Sequence, residues 1–464
     1  MHKRVYSSGW TVYDYNNPET RKTRTPSRSY YPCHLEECER VEEYKPGGFH
    51  PVNMGDRFGV QGRYCVYNKL GYGGFATIWL ARDLDENRNV ALKILRANSP
   101  LSGDSEVKIL EELQQPSDHP GREHIRFLLD SFKVEGPNGT HQCLVMEVAG
   151  PSLADLCRQT EKDPWQKRFR KYLGHKFATQ AVQAVAYLHS KNIAHGDINA
   201  QNLLIRLADF AEWSPQETDR RVPLPWDTEV LMIFDDVPHN PSAPRRMMEP
   251  FAMDDIYGLE YEERVFLIDF GQSFIANTQP CEQKEYTLTY SAPELIINKE
   301  AFLKTDIWAL GCTLYQIRSG SDLFDGFLST LNHVLLQTVE MLGKLPDDMW
   351  SKWEGRGRWF DEHGVKKEDP GPVDEELGDM EEFNSLKHYV DSIRVHNRGE
   401  KTFKSQQYQA RWVEKMLMDP YGTALSDEEV DNLADLLDGM LTYDIEARMS
   451  AEDVLQHRWL SGNH

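Results

Sequence analysis

The residues best suited to chemistry are one lysine and three acidic residues, each in its own sequence context. Lys93 lies in the apolar run "VALKIL", and a lysine buried in a strand is costly unless a carboxylate pairs with it. Glu106, in the helix-like run "SEVKIL", is the expected partner. Asp197 lies in "HGDINAQN", and Asp269 follows the apolar run "RVFLI". One cation with several carboxylates suits the handling of a polyphosphate and a divalent metal ion.

A cluster of glycines precedes Lys93 in the stretch "LGYGGFATIWL". Gly71 and Gly73 occupy two positions of a glycine-rich turn, and Ala76 stands where a third glycine is usual. Glycines at such positions let the backbone lie close over phosphate groups, because no side chain intervenes. By itself, however, the cluster favours an ordinary β-hairpin turn. Its interpretation therefore depends on the residues that follow it.

Six signals follow the glycines in a fixed order. In chain order they are Lys93 with Glu106, Asp197 with Asn202, Asp269-Phe270-Gly271, Ala292-Pro293-Glu294, Asp306 and Arg448. The whole series resembles the eukaryotic protein kinase family over residues 64–460. The resemblance implies an α+β, two-lobed protein kinase fold, with a β-rich N-lobe and a mainly helical C-lobe.

The resemblance also implies a role for each chemical residue. Lys93 would hold the α and β phosphates of ATP, and Glu106 would position Lys93. Asn202 and Asp269 would supply hard oxygen ligands to Mg²⁺. Asp197 would accept the proton of the substrate hydroxyl. Structural roles are implied for a Glu294–Arg448 ion pair and for Asp306, which would brace the catalytic loop.

The ATP site implied by the resemblance uses residues from the glycine-rich turn, the strand of Lys93 and a hinge. The implied nucleotide-binding residues are Leu70, Gly71, Gly73, Ala76, Ile78, Ala91, Lys93, Met146, Glu147 and Val148. In this set, Met146, Glu147 and Val148 match the gatekeeper and hinge that meet adenine. The implied cofactors are ATP and Mg²⁺.

A closer resemblance involves the residues before the glycine cluster. The stretch "GGFHPVNMGDRF", followed by "GRY" and "KLGYGGFATIWLARD", is similar to the start of the SR-protein kinases (SRPK-like), which phosphorylate serines in Arg/Ser-rich proteins. That family carries a spacer between the catalytic-loop Asn and the metal-binding Asp. Asn202 and Asp269 are 67 residues apart here, so the stretch 206–264 occupies the place of that spacer.

Three positions depart from the pattern of these families. Gly196 replaces the Arg that binds an activation-segment phosphate, so we expect an enzyme that needs no such phosphate. Asn199 replaces a Lys, and we expect a slower enzyme in which Asn199 still donates a neutral hydrogen bond. Ser291 replaces the Arg that the wider group has before Ala-Pro-Glu, which weakens a transfer of the Arg/Ser preference. Thr287 matches the Thr that serine/threonine kinases keep near the catalytic Asp.

Two functions and one further rival remain open on these residues; the rival is a kinase of the same wider group with an unrelated substrate, which Ser291 favours. The first is a serine/threonine protein kinase that transfers the γ-phosphate of ATP to protein hydroxyls, including those in Arg/Ser-rich segments. The alternative is a catalytically weak kinase-fold scaffold that binds ATP and basic partners. Intact Lys93, Asp197 and Asp269 favour the enzyme, whereas Asn199 favours the scaffold.

The periodicity of the chain predicts its domain organisation. Residues 1–45 are polar and predict a flexible arm. Residues 46–150 alternate like strands around one helix and form the predicted N-lobe. Residues 151–464 show helical spacing and form the predicted C-lobe, with surface insertions at 206–264 and 354–383. The acidic part of the second insertion is equally compatible with a docking face for an Arg-rich segment and with a solvated loop.

Composition limits the partners and the compartment. The chain of 464 residues has a formal net charge of -22, which argues against direct nucleic-acid binding and against an anionic membrane surface. No apolar run is long enough for a membrane span. Seven cysteines without paired spacing predict free thiols in the cytoplasm or nucleus, and Cys33 and Cys38 lack a second pair for zinc. A protein substrate and a monomer are expected.

Overall fold

Alternating apolar residues build an antiparallel sheet from the first third of the chain. In this computed structural model the described residues are 30–31, 33–35, 37–98, 103–158, 168–233, 240–253, 256, 259–276, 281–282, 286–324, 330–367, 385–393, 417–418 and 425–461. The sheet has the strand order β1-β2-β3-β4-β6-β5. Its strands are β1 (Arg57–Phe58), β2 (Tyr64–Tyr72), β3 (Ala76–Asp83), β4 (Arg88–Leu95), β5 (Leu128–Gly136) and β6 (Gly139–Met146).

One helix, α1 (Gly103–Gln114), packs against this sheet and supplies Glu106. The helical spacing of Val107, Leu110 and Leu113 predicts its apolar face, and Leu110 and Leu113 are buried, with Val107 partly buried beside them. In the sheet, Lys93 lies opposite Ile78 on β3 and opposite Leu144 on β6. The lysine is therefore fixed at the centre of the sheet.

A helical region follows the sheet. The long helix α3 (Lys171–Ser190) forms as its apolar spacing predicts, with Leu173, Phe177 and Leu188 buried. The helices after β6 are α2 (Leu153–Cys157), α3, α4 (Pro215–Arg221), α5 (Pro293–Asn298), α6 (Thr305–Ser319), α7 (Leu331–Leu342), α8 (Asp347–Lys352), α9 (Leu386–Ser392), α10 (Asp427–Met440), α11 (Ala451–Gln456) and α12 (Arg458–Ser461). The spacing of Ser450 and Asp453, three residues apart before an apolar run, predicts a capping box, and the two side chains form it at the start of α11. None of the described helices is both long and apolar enough to cross a membrane.

Short strands between the helices position the chemical residues. A three-stranded sheet joins β7 (Ala149–Ser152), β9 (Leu203–Ala208) and β12 (Glu260–Leu267) in the order β12-β9-β7. Asn202 precedes β9 directly and Asp269 follows β12 by two residues, so the pairing of these strands brings both to one end of the sheet. The remaining short strands are β8 (Ile193–Ala194), β10 (Asp227–Glu229), β11 (Arg246–Met248), β13 (Phe274–Ile275), β14 (Cys281–Glu282) and β15 (Glu300–Ala301).

The segment before residue 46 is packed where the structure describes it. Tyr30, Val41 and Tyr44 are buried in one apolar cluster with Val230 and Met247, which belong to the stretch 206–264. The predicted flexible arm to residue 45 is therefore too long, because apolar residues far along the chain cover its last part. Residues 368–383, which hold most of the acidic part of the second insertion, lie outside the described residues.

Candidate active site

Lys93 joins two carboxylates that come from different parts of the chain. Its Nζ lies 2.8 Å from Glu106 Oε1 and 2.6 Å from Asp269 Oδ1. Burial opposes the charge of Lys93, but Asp269 and Glu106 outweigh burial and hold its pKa above the ordinary value. The nearby charge of Lys93 in turn lowers the pKa of Asp269. Lys93 and Asp269 therefore stabilise each other's charged forms.

Asp197 is held by hydrogen bonds from both sides. Its Oδ2 accepts from Asn202 Nδ2 at 3.0 Å, and its Oδ1 accepts from the hydroxyl of Thr287 at 2.9 Å. Asn202 Nδ2 also donates to the backbone oxygen of Asp197 at 2.8 Å. These bonds turn the amide nitrogen of Asn202 toward Asp197 and leave its amide oxygen as the atom that can ligate a cation.

The loop around Asp197 is braced by Asp306, as the resemblance implies. The Asp306 carboxylate accepts from the backbone N–H of His195 at 2.7 Å and from that of Gly196 at 2.9 Å. It also lies 3.1 Å from His189 Nε2. The implied Glu294–Arg448 pair is present as a fully buried ion pair, with Arg448 Nη1 2.7 Å from Glu294 Oε1. Asp306 therefore stabilises the catalytic loop, and the Glu294–Arg448 pair stabilises the helical lobe.

Asn199 is engaged within the catalytic loop itself. Its Oδ1 accepts from the backbone N–H groups of Gln201 and Asn202, and its Nδ2 donates to the backbone oxygen of Asp197 at 3.2 Å. It therefore caps the short helical turn that carries Asn202. Among the described contacts, none joins Asn199 to Lys93 or Asp269. The neutral hydrogen bond expected of Asn199 thus goes to the protein backbone.

The residues implied for nucleotide binding lie along the edges of the two sheets. Ala91 lies opposite Met146 across the pair β4–β6, and the hinge Glu147–Val148 connects β6 to β7. Gly71 and Gly73 lie at the end of β2 and beyond it, and a β-carbon on Gly73 would meet open space. The glycine-rich turn is therefore not crowded by the rest of the protein.

Leu70, Ala76 and Ile78 flank this turn on the paired strands β2 and β3. Leu70 and Ile78 are partly exposed and pack against the main core, whereas Ala76 is buried. These positions are compatible with an apolar wall beside the glycine-rich turn.

Two buried cations near this region were not predicted from the sequence. Arg126 donates from Nε to the hinge oxygen of Glu147 at 2.8 Å. Lys69, on β2 beside the glycine-rich turn, pairs with Glu39 and donates to the backbone oxygen of Met248 at 3.0 Å. The signal in each case is a cation inside an apolar run, which requires a partner.

The donor set fits a metal-bound triphosphate at its phosphate end. Lys93 supplies the cation, while Asp269 and Asn202 supply oxygen atoms of the kind that Mg²⁺ prefers. Asp269 remains accessible, since 47% of its side chain is exposed. Bound Mg²⁺ would neutralise phosphate charge, and Lys93 would orient the phosphates. Asp197 would orient the acceptor hydroxyl and take its proton.

Comparison with known proteins identifies this arrangement. The protein kinase domain matches residues 64–212 and 259–460. The chain belongs to the protein kinase family. A solved kinase domain shares the fold, with a TM-score of 0.58 at 18% identity over 89% of this chain and 98% of that one.

Relatives refine the assignment. A serine/threonine protein kinase of Aspergillus fumigatus is 29% identical over 72% of this chain and 81% of its own length. An SRPK of Physarum polycephalum is 27% identical over 92% of each chain. Human SRSF protein kinase 3 is 37% identical over 38% of this chain and 30% of its own length. The kinase is therefore an SRPK-like serine/threonine protein kinase, and ATP and Mg²⁺ are the general cofactors of its family.

Proposed function

We propose that this kinase phosphorylates serines in basic, Arg/Ser-rich protein segments, with Asp197 as the base. The observation that carries the proposal is the assembled set of contacts Lys93–Glu106, Lys93–Asp269 and Asp197–Thr287. In this arrangement Lys93 and Asp269 hold the phosphate end and Asp197 faces the acceptor. Reaction then depends on positioning and on charge neutralisation, as phosphoryl transfer requires.

The acceptor side of the site is a pocket next to Asp197. Its walls include Tyr286, Thr287, Ser291 and Leu295. Ser291 donates its hydroxyl to the backbone oxygen of Thr287 at 2.9 Å, so it supports the residue that contacts Asp197. A peptide lying along residues 286–291 would present its hydroxyl to Asp197, which is within hydrogen-bond reach of this wall.

The preference for basic segments rests on charge and on the relatives. The net charge of -22 favours a cationic peptide electrostatically. One relative is named an SRSF protein kinase, and another an SRPK. We propose the same class of acceptor here.

A kinase-fold scaffold remains the second candidate. The observation that favours it is the inward use of the Asn199 amide, which supplies the loop with a cap instead of supplying the phosphates with a donor. One donor aimed at developing charge is worth roughly 10²–10³ in rate. Lys93 and two metal-ligating side chains still favour a slow enzyme over an inactive one.

Phosphate transfer tests the proposal. Radiolabelled phosphate from millimolar MgATP would be followed into an Arg/Ser-repeat peptide, a matched Lys/Ser peptide and a peptide in which Ala replaces Ser. Transfer to the Arg/Ser peptide that is lost in Asp197→Ala supports both the activity and the substrate class. Equal transfer to the Lys/Ser peptide contradicts the Arg preference. Peptide binding without transfer in the wild type supports the scaffold.

We further propose a monomer in the cytoplasm or nucleus, with no direct nucleic-acid or membrane partner. The seven cysteines form no disulfide with one another, which is compatible with a reducing compartment. Cys33 and Cys38 face each other with their sulfur atoms 3.6 Å apart. In the described residues no group of three or more metal-ligating His, Cys, Asp or Glu accompanies them.

A further inference from the structure

Arg126 links the strand that precedes Asp269 to the hinge. Its backbone N–H donates to the backbone oxygen of Leu267 at 3.2 Å, and Leu267 precedes Asp269 by two residues. Its guanidinium ends at the backbone oxygen of Glu147, where Nε donates at 2.8 Å and Nη2 makes a second contact to the same atom. Arg126 is only 6% exposed. A buried guanidinium therefore lies against the backbone of the hinge.

No carboxylate is paired with this guanidinium in the described structure. The carboxylate of Glu147 instead pairs with Arg206, whose Nε lies 3.3 Å from Glu147 Oε1. Burial lowers the pKa of Arg126 to about 10, so it stays charged at neutral pH. A buried cation that is satisfied only by a carbonyl oxygen retains strong donors for a further acceptor.

The kinase resemblance implies that the purine ring of the nucleotide meets the hinge, so these donors would lie beside the ring. The Glu147 oxygen belongs to the hinge between β6 and β7, and the C6 substituent of a purine in that position would face it. Adenine carries an amino group at C6, which is a donor and needs an acceptor. That acceptor is already bound by Arg126, and the guanidinium opposes the amino group with donors of its own. A carbonyl at C6 would accept from the guanidinium instead.

We infer that Arg126 makes this kinase favour 6-oxopurine nucleotides, such as GTP and ITP, over ATP. The inference rests on the proposed function, because it concerns the nucleobase of the nucleotide whose phosphates bind at that same site. It concerns the donor nucleotide and leaves the roles of Lys93, Asp197 and Asp269 unchanged. A site built to hydrogen-bond one group discriminates strongly against an analogue that lacks it, since its buried donor is then unpaired.

Equilibrium binding tests the inference without requiring activity. Isothermal titration would measure the dissociation constants of MgITP, MgGTP and MgATP with the full chain. ITP is the decisive probe, because it differs from ATP only by the oxo group at C6 and the proton on N1. We expect MgITP and MgGTP to bind about tenfold or more tightly than MgATP. Arg126→Val should reverse the order in favour of MgATP.

A neighbouring arginine provides the matched control. Arg122 also donates to backbone oxygens, those of Gln114 and Gln115, which lie at the end of α1 and not at the hinge. Arg122→Val should leave the ITP-to-ATP ratio unchanged. If Arg126→Val does not fold, Arg126→Met keeps the apolar length of the side chain and serves in its place.

Each outcome of the nucleotide titrations either supports or overturns the inferred preference for 6-oxopurines. Tighter binding of MgATP than of MgITP by the wild type would overturn the inference, and so would a ratio that Arg126→Val does not change. Binding of MgATP only after the substitution, with no ITP binding before it, would show that Arg126 merely blocks the base. If no triphosphate bound to any folded variant, the phosphate site itself would be disproved, and with it the proposed function.

Discussion

A β-carbon built on Gly196 would lie 2.6 Å from the backbone carbonyl oxygen of Gln272. Gly196 also has a φ of +83°, in the region that residues with side chains rarely adopt. Glycine at this position therefore does more than remove the usual arginine. It lets the catalytic loop pass close beneath the segment that follows Asp269.

We expect Gly196→Ala to lower the free energy of unfolding by about 1–3 kcal/mol, because the alanine meets both strain and a fixed carbonyl. Phosphate transfer should fall as the loop shifts, and Gly196→Arg should fall further instead of restoring a phosphate-binding arginine. Urea unfolding and a transfer assay measure the two effects. Gly174→Ala is the control, since a β-carbon there meets its nearest neighbour at an ordinary 3.8 Å. A Gly196→Arg enzyme more active than the wild type would contradict this account.

Only residues that can cap the helical turn Ala200–Asn202 should replace Asn199 without loss of stability and activity. We expect Asn199→Ala to lower stability by about 1 kcal/mol and to reduce transfer roughly tenfold, because the turn that orients Asn202 loses its acceptor. Asn199→Ser keeps an acceptor and should remain close to the wild type. Asn199→Lys should not raise activity, since it loses the cap. A large gain of activity in Asn199→Lys would show that the missing cation limits the rate.

The hydroxyl of Thr287 should matter more than its methyl group. Thr287 donates to the Asp197 carboxylate at 2.9 Å, so Thr287→Ala leaves one carboxylate oxygen without this donor. A hydrogen bond to a charged group is worth about 1.5–3 kcal/mol, and we expect a loss of about tenfold or more in kcat. Thr287→Ser should retain activity within about threefold. Steady-state kinetics on a phosphatase-treated enzyme would separate this effect from phosphorylation, on which activity should not depend.

The local sequence pattern was sufficient to predict interacting residue pairs when both members lie in clear sequence motifs. Lys93 with Glu106 follows from the cost of a buried lysine beside an amphipathic helix. The capping box at Ser450 follows from four neighbouring residues. Strand-like spacing before residue 150 and helical spacing after it predict a sheet-rich part followed by a helical part, whereas the two-lobed kinase fold is implied by the family resemblance.

Contacts that join distant parts of the chain could not be predicted in this way. The partner of Arg126 is a backbone oxygen, which carries no sequence signal. The burial of Tyr44 depends on Met247, about two hundred residues further along. The sequence predicts that Asn199 donates a neutral hydrogen bond, but it does not predict the partner, because that depends on local backbone geometry.

Lys69 and Glu39 should behave as a buried ion pair. Only 1% of the Lys69 side chain and 4% of the Glu39 side chain are exposed. Lys69→Met leaves Glu39 buried and unpaired, and we expect a loss of about 3–5 kcal/mol in unfolding free energy. The double variant Lys69→Met with Glu39→Gln should recover much of that loss. Lys45→Met removes the exposed pair with Glu43 and should change stability by less than about 1 kcal/mol.

The Lys69–Glu39 ion pair should also affect nucleotide binding. Lys69 lies on β2 immediately before Leu70 and Gly71, and it holds this strand to the N-terminal segment and to Met248. The single variant Lys69→Met should therefore raise the KM for the nucleotide more than it lowers kcat. An unchanged KM in a folded Lys69→Met protein would limit the pair to a role in stability.

Acid should destabilise the kinase through His50. Burial, followed by the neighbouring His141, lowers the pKa of His50 from 6.5 to about 4. Between these values the unfolded chain binds a proton that the folded chain does not, so stability rises with pH across this window and falls as the pH drops from 6.5 to 4. One such group contributes up to about 1.4 kcal/mol per pH unit. Burial lowers the pKa of His141 as well, which adds to the slope in the same direction.

His50→Phe should remove the contribution of one titrating group to the pH dependence of stability. The ring of His50 lies 5.6 Å from that of Phe58 and 4.8 Å from that of His141, so a phenyl ring finds aromatic neighbours in its place. Urea unfolding at several pH values between 4.5 and 7 would give the slope for each variant. His388→Gln, at an exposed position on α9, should keep the wild-type slope. An equal slope in His50→Phe and the wild type would show that other groups cause the loss of stability in acid.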